Sequence, residues 1–256
     1  MGPRLGLGAG VAQAQTDELH EAGAGTPVAG GIDEGFARDE ARRCGLELLR
    51  EEEGLCLTDG AMTLRPDLRE LLPRLRRGRL SRELLVRAAK TKGADAPSAI
   101  DATAGLGEDS LLLAAAGFSV TLFESDVVIA ALLADALRRA AADSELAPVV
   151  GRMRLICGDS VAALPGIQPA PDVVYLDPMF PGRTKSAAVK KKFQLLHHLE
   201  RPCADERALL DAALAAHSRK VVIKRPVKGP NLAGAKPSYV VAGKAVRYDV
   251  LVPPRS

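Results

Sequence analysis

Beyond a break at residues 93–98, short apolar runs alternate with helix-patterned stretches, an order that a doubly wound α/β sheet accommodates. Ala99-Ile-Asp-Ala reads as a strand running into a glycine turn, and 109–116 as a helix closed by Gly117. Residues 118–123 form a second strand ending at Glu124, followed by a long Ala/Leu helix over 127–142. A third strand covers 152–157, and Ser160 starts a short helix. A fourth strand covers 173–176, a helix 204–217 and a fifth strand 220–223, with a closing hairpin from 239–242 and 246–252. The predicted fold is a doubly wound, mostly parallel, seven-stranded Rossmann-like sheet with an antiparallel edge strand and a small N-terminal extension.

Ahead of the alternation the pattern is weaker. Residues 1–43 are Gly/Ala-rich with little periodicity and read as a leader without regular structure. Residues 44–93 read as a β/helical extension: short apolar alternations break at Gly54 and Asp59-Gly60, a hairpin signal. Leu80, Leu84, Leu85, Ala88 and Ala89 share one helical face, with Ser81 as its N-cap. Residues 94–256 make up the main domain.

No apolar run reaches the length of a membrane span, and the N-terminus has no compact apolar core of an export signal, so a cytoplasmic protein is expected. Cys44, Cys56, Cys157 and Cys203 lack metal-ligand spacing and read as reduced thiols. The net charge of +3 says little, but ten Arg/Lys face three Asp/Glu between Arg65 and Lys92. A second basic cluster, Lys185 and Lys190–Lys192, follows the fourth strand. Either run alone is readily a solvated face, whereas two beside one site point to a polyphosphate backbone.

The turn Asp101-Ala-Thr-Ala-Gly105-Leu-Gly107 lets the backbone bend sharply and approach a ligand without Cβ clashes. The third glycine of the dinucleotide fingerprint is replaced by Ser110, and Glu108-Asp109 would repel a pyrophosphate. A ligand with an ammonium group and no phosphates fits better, and S-adenosylmethionine has these properties. Glu124 ends the next strand, where an acid can bond both ribose hydroxyls. Asp159-Ser160 follows the third strand, in position to take an adenine amino group. These acids equally suit N-caps of the helices that follow.

The fourth strand runs into Asp177-Pro178-Met179-Phe180-Pro181. At the carboxyl end of a strand, this corner supplies a carboxylate, a rigid carbonyl and a ring for a flat, amino-bearing base. Asp177 and the Pro178 carbonyl would accept hydrogen bonds from an exocyclic amine while Phe180 stacks on the base. The plainer reading is a turn with Phe180 in the core. Lys224-Arg225 ends the fifth strand and reads either as an RNA contact or as a surface cap.

With these motifs in view, the chain resembles the bacterial small-subunit ribosomal RNA guanine-N2 methyltransferase J family, within the class I S-adenosylmethionine-dependent methyltransferases. The resemblance rests on 101–109, 173–181, 185–191 and 221–226, with Arg247-Tyr-Asp249 in the closing strand. It implies cofactor contacts at Glu108, Asp109, Glu124, Ser125, Asp159, Ser160 and Asp177, beside the turn residues Asp101, Gly105 and Gly107. It further implies methyl transfer to a guanosine N2 amine in small-subunit rRNA, either naked or in the assembled subunit, with Asp177, Pro178 and Phe180 as the catalytic group. Lys185, Lys190, Lys191, Lys224 and Arg225 are the expected RNA contacts; no membrane and no metal are expected. Glu108 and Ser125 stand where the family commonly has basic residues, and the segment 72–79 is shortened. Alternatives are an amino-methyltransferase for DNA adenine or another RNA, and a NAD-dependent oxidoreductase on a similar sheet.

Overall fold

The computed structural model describes residues 28–29, 31–178, 195–196, 199 and 205–254. Five parallel strands carry the architecture: β5 (Ser98–Asp101), β6 (Ser119–Glu124), β7 (Met153–Cys157), β8 (Val173–Leu176) and β9 (Lys220–Pro226). They sit in an eight-stranded sheet of order β1-β7-β6-β5-β8-β9-β11-β10, where β1 is the two-residue strand Val28–Ala29, β10 is Tyr239–Ala242 and β11 is Val246–Leu251. The chain builds outward from β5 to β6 and β7, then crosses back to β8 beside β5. The carboxyl ends of β5 and β8 therefore flank the point where strand order reverses, the place where such sheets open a crevice.

The strands are apolar because helices cover both faces. Val173, Val174, Tyr175 and Leu176 of β8 are all buried. On one face, Leu122 and Tyr175 pack with Leu111 and Leu113 of α3 (Glu108–Ala115) and Leu133 and Leu137 of α4 (Val127–Ala141). On the other, Ile100, Phe123, Val174 and Leu176 pack with Leu209, Leu210 and Ala213 of α5 (Glu206–Ala215).

The closing hairpin supplies the expected antiparallel edge. β11 (Val246–Leu251) is antiparallel to both β9 and β10 (Tyr239–Ala242), so the reversed strand lies one place inside the edge and β10 forms the edge. β9 also extends three residues past the expected end at Ile223, because Lys224, Arg225 and Pro226 pair with Tyr248, Arg247 and Val246.

The expected unstructured leader is corrected in part. Glu34–Arg43 form a helix, α1, whose cap Asp33 accepts hydrogen bonds from the Gly35 and Phe36 amides at 2.8 and 3.1 Å. Its Ala37 and Ala41 are buried in a cluster with Ile129 and Leu132 of α4, which stabilises a sequence that looks featureless alone. Val28–Ala29 likewise pairs with Leu155–Ile156 of β7. Ser81 is not an N-cap: the helix α2 runs Leu84–Ala89 with Glu83 before it, and Ser81 closes the single turn Arg77–Leu80.

The three-stranded sheet β2 (Glu47–Glu51), β3 (Gly54–Thr58) and β4 (Thr63–Leu64) contains the expected turn at Asp59-Gly60. It docks on α4 through buried Asp135, which accepts from the Leu55 amide at 3.0 Å, Arg139 Nε at 2.8 Å and Arg50 Nη1 at 2.9 Å. Burial pushes the Asp135 carboxyl upward, but these donors and Arg138 outweigh it and hold it well below the usual range. Gly54 (φ +126°) permits the approach, since a Cβ there would lie 2.6 Å from Asp135 Oδ2.

Candidate active site

The turn after β5 is fixed from three sides. Thr103 N and Ser110 Oγ donate to the two oxygens of Asp101 at 3.1 and 2.6 Å, and Gly105 N donates to Glu124 Oε2 at 2.8 Å. Gly105 and Gly107 adopt φ of +54° and +75°. At Gly107 a side chain would also collide with Leu133, 2.7 Å from the Cβ position, whereas at Gly105 a Cβ would meet nothing. Gly107 thus serves packing, and Gly105 faces open space in the crevice.

Asp101, expected at the cofactor, is 1% exposed and spends both oxygens inside the turn. Its role is to shape the loop. Burial pushes its carboxyl up to about 7, against the pull of the Ser110 and Thr103 bonds.

Glu124, at the end of β6, accepts from the amides of Gly105 (2.8 Å) and Asp126 (2.9 Å), so its carboxylate bridges the first two βα turns. Ser125 and Glu108 are exposed beside it at the crevice rim. Asp126 caps α4, accepting from Val128 N at 2.9 Å and Ile129 N at 3.0 Å. Asp159 is exposed and caps the short helix Ser160–Ala163 through Val161 N at 2.9 Å. Buried Ser160 donates to Ala102 O at 2.8 Å, tying the β7 loop to the glycine turn. The N-cap reading therefore describes Asp159, while Glu124 has another task.

Across the crevice, Asp177 N donates to Thr103 Oγ1 at 2.7 Å, which locks the β8 corner to the β5 turn. Lys224 Nζ lies 2.8 Å from Asp177 Oδ2 and 2.6 Å from Asp109 Oδ2. Tyr175 also donates to Asp109 Oδ2 at 2.6 Å. Burial would depress the Lys224 ammonium, but Asp109 and Asp177 more than offset it and hold it well above its ordinary value. Burial would raise Asp109, and Lys224 with the Tyr175 hydroxyl keeps it below the carboxylate range. Tyr175 is driven well upward by burial and the neighbouring carboxylates, so it stays a neutral donor.

The structure thus brings together Asp101, Gly105, Gly107, Asp109, Glu124, Asp177 and buried Pro178 around one crevice. Phe180, Lys185, Lys190 and Lys191 lie outside the described residues. Two expected RNA contacts are corrected. Lys224 is consumed by two carboxylates, and Arg225 is fully buried, donating to Pro230 O at 2.8 Å and pairing with Glu206 at 3.4 Å. The geometric reason is the strand itself: neighbours on β9 point to opposite faces, one into the crevice and one under α5.

Sequence reasoning missed Thr103, Tyr175 and Tyr248, whose ring lies 6.4 Å from that of Tyr175. A threonine inside a glycine turn was a readable signal; a tyrosine in an apolar strand was not. Among the described residues no group of His, Cys, Asp and Glu has the makings of a metal site, and no helix is long and apolar enough to cross a membrane.

Among the described residues the crevice carries the carboxylates of Asp109, Glu124 and Asp177, and Lys224 serves two of them. The crevice suits a cationic, hydroxyl-bearing ligand: Glu124 for vicinal hydroxyls, Asp109 and Asp177 for positive charge, and Gly105 for close backbone approach. S-adenosylmethionine carries an ammonium, a sulfonium and a ribose, and fits these acceptors.

Residues 40–253 match a protein family described as "Putative SAM-dependent methyltransferase". The chain is 48% identical over 175 residues to "Ribosomal RNA small subunit methyltransferase J" of Thioalkalivibrio sulfidiphilus, covering 68% of this chain and 69% of that one. It is 47% identical to the protein of the same name from Ectopseudomonas mendocina, over 66% of each. The crystal structure of a SAM-dependent methyltransferase from Neisseria gonorrhoeae superposes with a TM-score of 0.67 at 34% identity, over 82% of this chain and 83% of that one. The chain belongs to the SAM-dependent methyltransferase family, in the group that includes the ribosomal RNA small subunit methyltransferases J.

Proposed function

We propose that this protein methylates the exocyclic N2 amine of a guanosine in small-subunit ribosomal RNA. The observation that carries the reading is the corner at Asp177-Pro178, bonded to the cofactor turn through Thr103 and braced by Lys224. When bound, S-adenosylmethionine supplies an electrophilic methyl group on a sulfonium.

The residues of the chain divide the remaining work. Glu124 would hold the ribose, and the turn at Gly105 would take the cofactor backbone against its amides. Asp177 and the Pro178 carbonyl would accept hydrogen bonds from the amine, directing its lone pair at the methyl carbon and receiving the positive charge that develops on nitrogen. An arylamine needs orientation more than a strong base, because the proton is lost readily once nitrogen has formed its new bond. Bracing by Lys224 and Thr103 costs no reorganisation during the reaction, the advantage of a preset polar site.

Guanine and the small subunit enter this reading from the motif resemblance and from the names of the relatives. Action on a ribosomal substrate would be cytoplasmic. The oxidoreductase alternative has no support from the family, whereas methylation of an adenine amine would use the same corner. The deciding experiment incubates the purified protein with labelled S-adenosylmethionine and small subunits from cells lacking the gene. N2-methylguanosine in the digested RNA is the expected product. Label in adenosine only, or label in DNA and not in RNA, would overturn the assignment.

A further inference from the structure

Residues 72–82 contain five arginines, Arg74, Arg76, Arg77, Arg79 and Arg82, with no acid and no lysine. They form two single turns, Leu72–Leu75 and Arg77–Leu80, held down by Leu72 and Leu75 against the core beneath the main sheet. Arg74 is the inner member. It makes a two-pronged bond to Glu83, Nε–Oε1 and Nη2–Oε2 both at 2.9 Å. The turn that carries it, Leu72–Leu75, contacts α3 (Glu108–Ala115), whose first turn holds Asp109, so the segment lies beside the crevice.

The other four are exposed, and none has a carboxylate within salt-bridge distance among the described residues. Arg82 Nε instead donates to Gly78 O at 2.8 Å, closing the turn that displays its neighbours. On α1, Arg38, Arg42 and Arg43 each pair with an acid three or four residues away. Four adjacent unpaired guanidiniums repel one another, and a solvated face would normally intersperse both signs. Such a cluster on a firmly packed segment is suited to a polyanion, and the planar fork of arginine matches phosphate oxygens.

We infer that the 72–82 segment is the docking surface for the phosphodiester backbone of the RNA, presented beside the Asp109–Asp177 crevice. The inference rests on the RNA-methylation reading above and reassigns to this segment the task first given to Lys224 and Arg225. Arg74 positions the segment through Glu83, while Arg76, Arg77, Arg79 and Arg82 engage phosphates.

The test compares wild type with the triple variant Arg76→Gln/Arg77→Gln/Arg79→Gln in filter binding to small-subunit rRNA over a salt series. Losing three phosphate contacts should raise Kd about tenfold to a hundredfold near physiological salt and lower the log–log salt slope by roughly two to three. S-adenosylmethionine affinity should be unchanged, and methyl transfer should show a raised KM for RNA with kcat retained. The charge-preserving Arg76→Lys/Arg77→Lys/Arg79→Lys protein should recover most of the affinity. Arg42→Gln/Arg43→Gln, on α1, should bind as wild type. Wild-type RNA affinity and slope in the glutamine triple would overturn the docking surface and leave the methylation reading standing. An equal loss in the α1 variant, or a preference of wild type for anionic phospholipid vesicles over RNA, would also overturn it. If wild-type protein binds neither small-subunit rRNA nor the assembled small subunit, both readings fall.

Discussion

The Lys224 ammonium lies 2.6 Å from the Asp109 carboxylate, joining the last β9 residue of the crevice to the first turn of α3. The same nitrogen reaches Asp177, so a single cation sets the spacing between the cofactor turn and the acceptor corner.

Lys224→Met should therefore cost stability as well as activity. Removing one partner from a largely buried cluster leaves uncompensated charge, for a loss of about 3 kcal/mol at pH 7. Asp109 is a depressed carboxylate, so its contribution is present above the unfolded pKa near 4 and lost as pH falls through its lower folded value. In the variant that contribution disappears, and urea midpoints should converge with wild type below about pH 4. Parallel titration curves across the whole range would refute the account.

Asp101 works in the opposite sense. Its folded value is raised to about 7, so its contribution is complete below about pH 4 and is lost as pH climbs through about 7. Asp101→Asn should remove that slope: urea midpoints measured at pH 5 and pH 8 should fall in wild type and stay level in the variant.

The two turn glycines should separate fold from function. Gly107→Ala combines positive φ with a 2.7 Å clash against Leu133, and should cost about 3 kcal/mol in thermal unfolding. Gly105→Ala meets no neighbour and should cost only about 1 kcal/mol. Its methyl would occupy the ligand side, so S-adenosylmethionine affinity should drop at least about tenfold by calorimetry, since roughly 1.4 kcal/mol of lost contact suffices. Equal behaviour of the two variants would remove the distinction drawn between them.

Asp135→Ala should loosen the N-terminal sheet. The Leu55 amide loses its acceptor and three arginines lose their counter-ion, a change worth about 3 kcal/mol. Hydrogen exchange at Leu55 and its β3 neighbours should accelerate more than exchange in β5 or β8.

The parallel core was legible because its strands are nearly continuous apolar runs punctuated by Gly105, Gly107 and Gly117, residues that report backbone geometry directly. Strand β8 begins and ends where its apolar run does. The helix at Glu34–Arg43 was obscured by its Gly/Ala-rich surroundings, although Asp33 before Glu34 and Arg42-Arg43 at the far end are cap and dipole signals. Strand β1 spans two residues, too few for any alternation to register. In the crevice, residue type and position at strand ends pointed to Asp177 and Glu124, and both lie against the β5 turn. Lys224 and Arg225 misled because charge suggests the surface, while their partners Asp109 and Glu206 lie far away in sequence. Long-range pairing of that kind leaves no local trace.

Helix α4 has a consequence of its own. Its cap, Asp126, adjoins Glu124 at the cofactor crevice, and Asp135, nine residues on, carries the N-terminal sheet. The two stations are about 13 Å apart along one uninterrupted helix. That helix is a strut: the amino-terminal module is bolted to the same rod that borders the crevice. The backbone hydrogen bonds of that helix fix the distance between the module and the crevice.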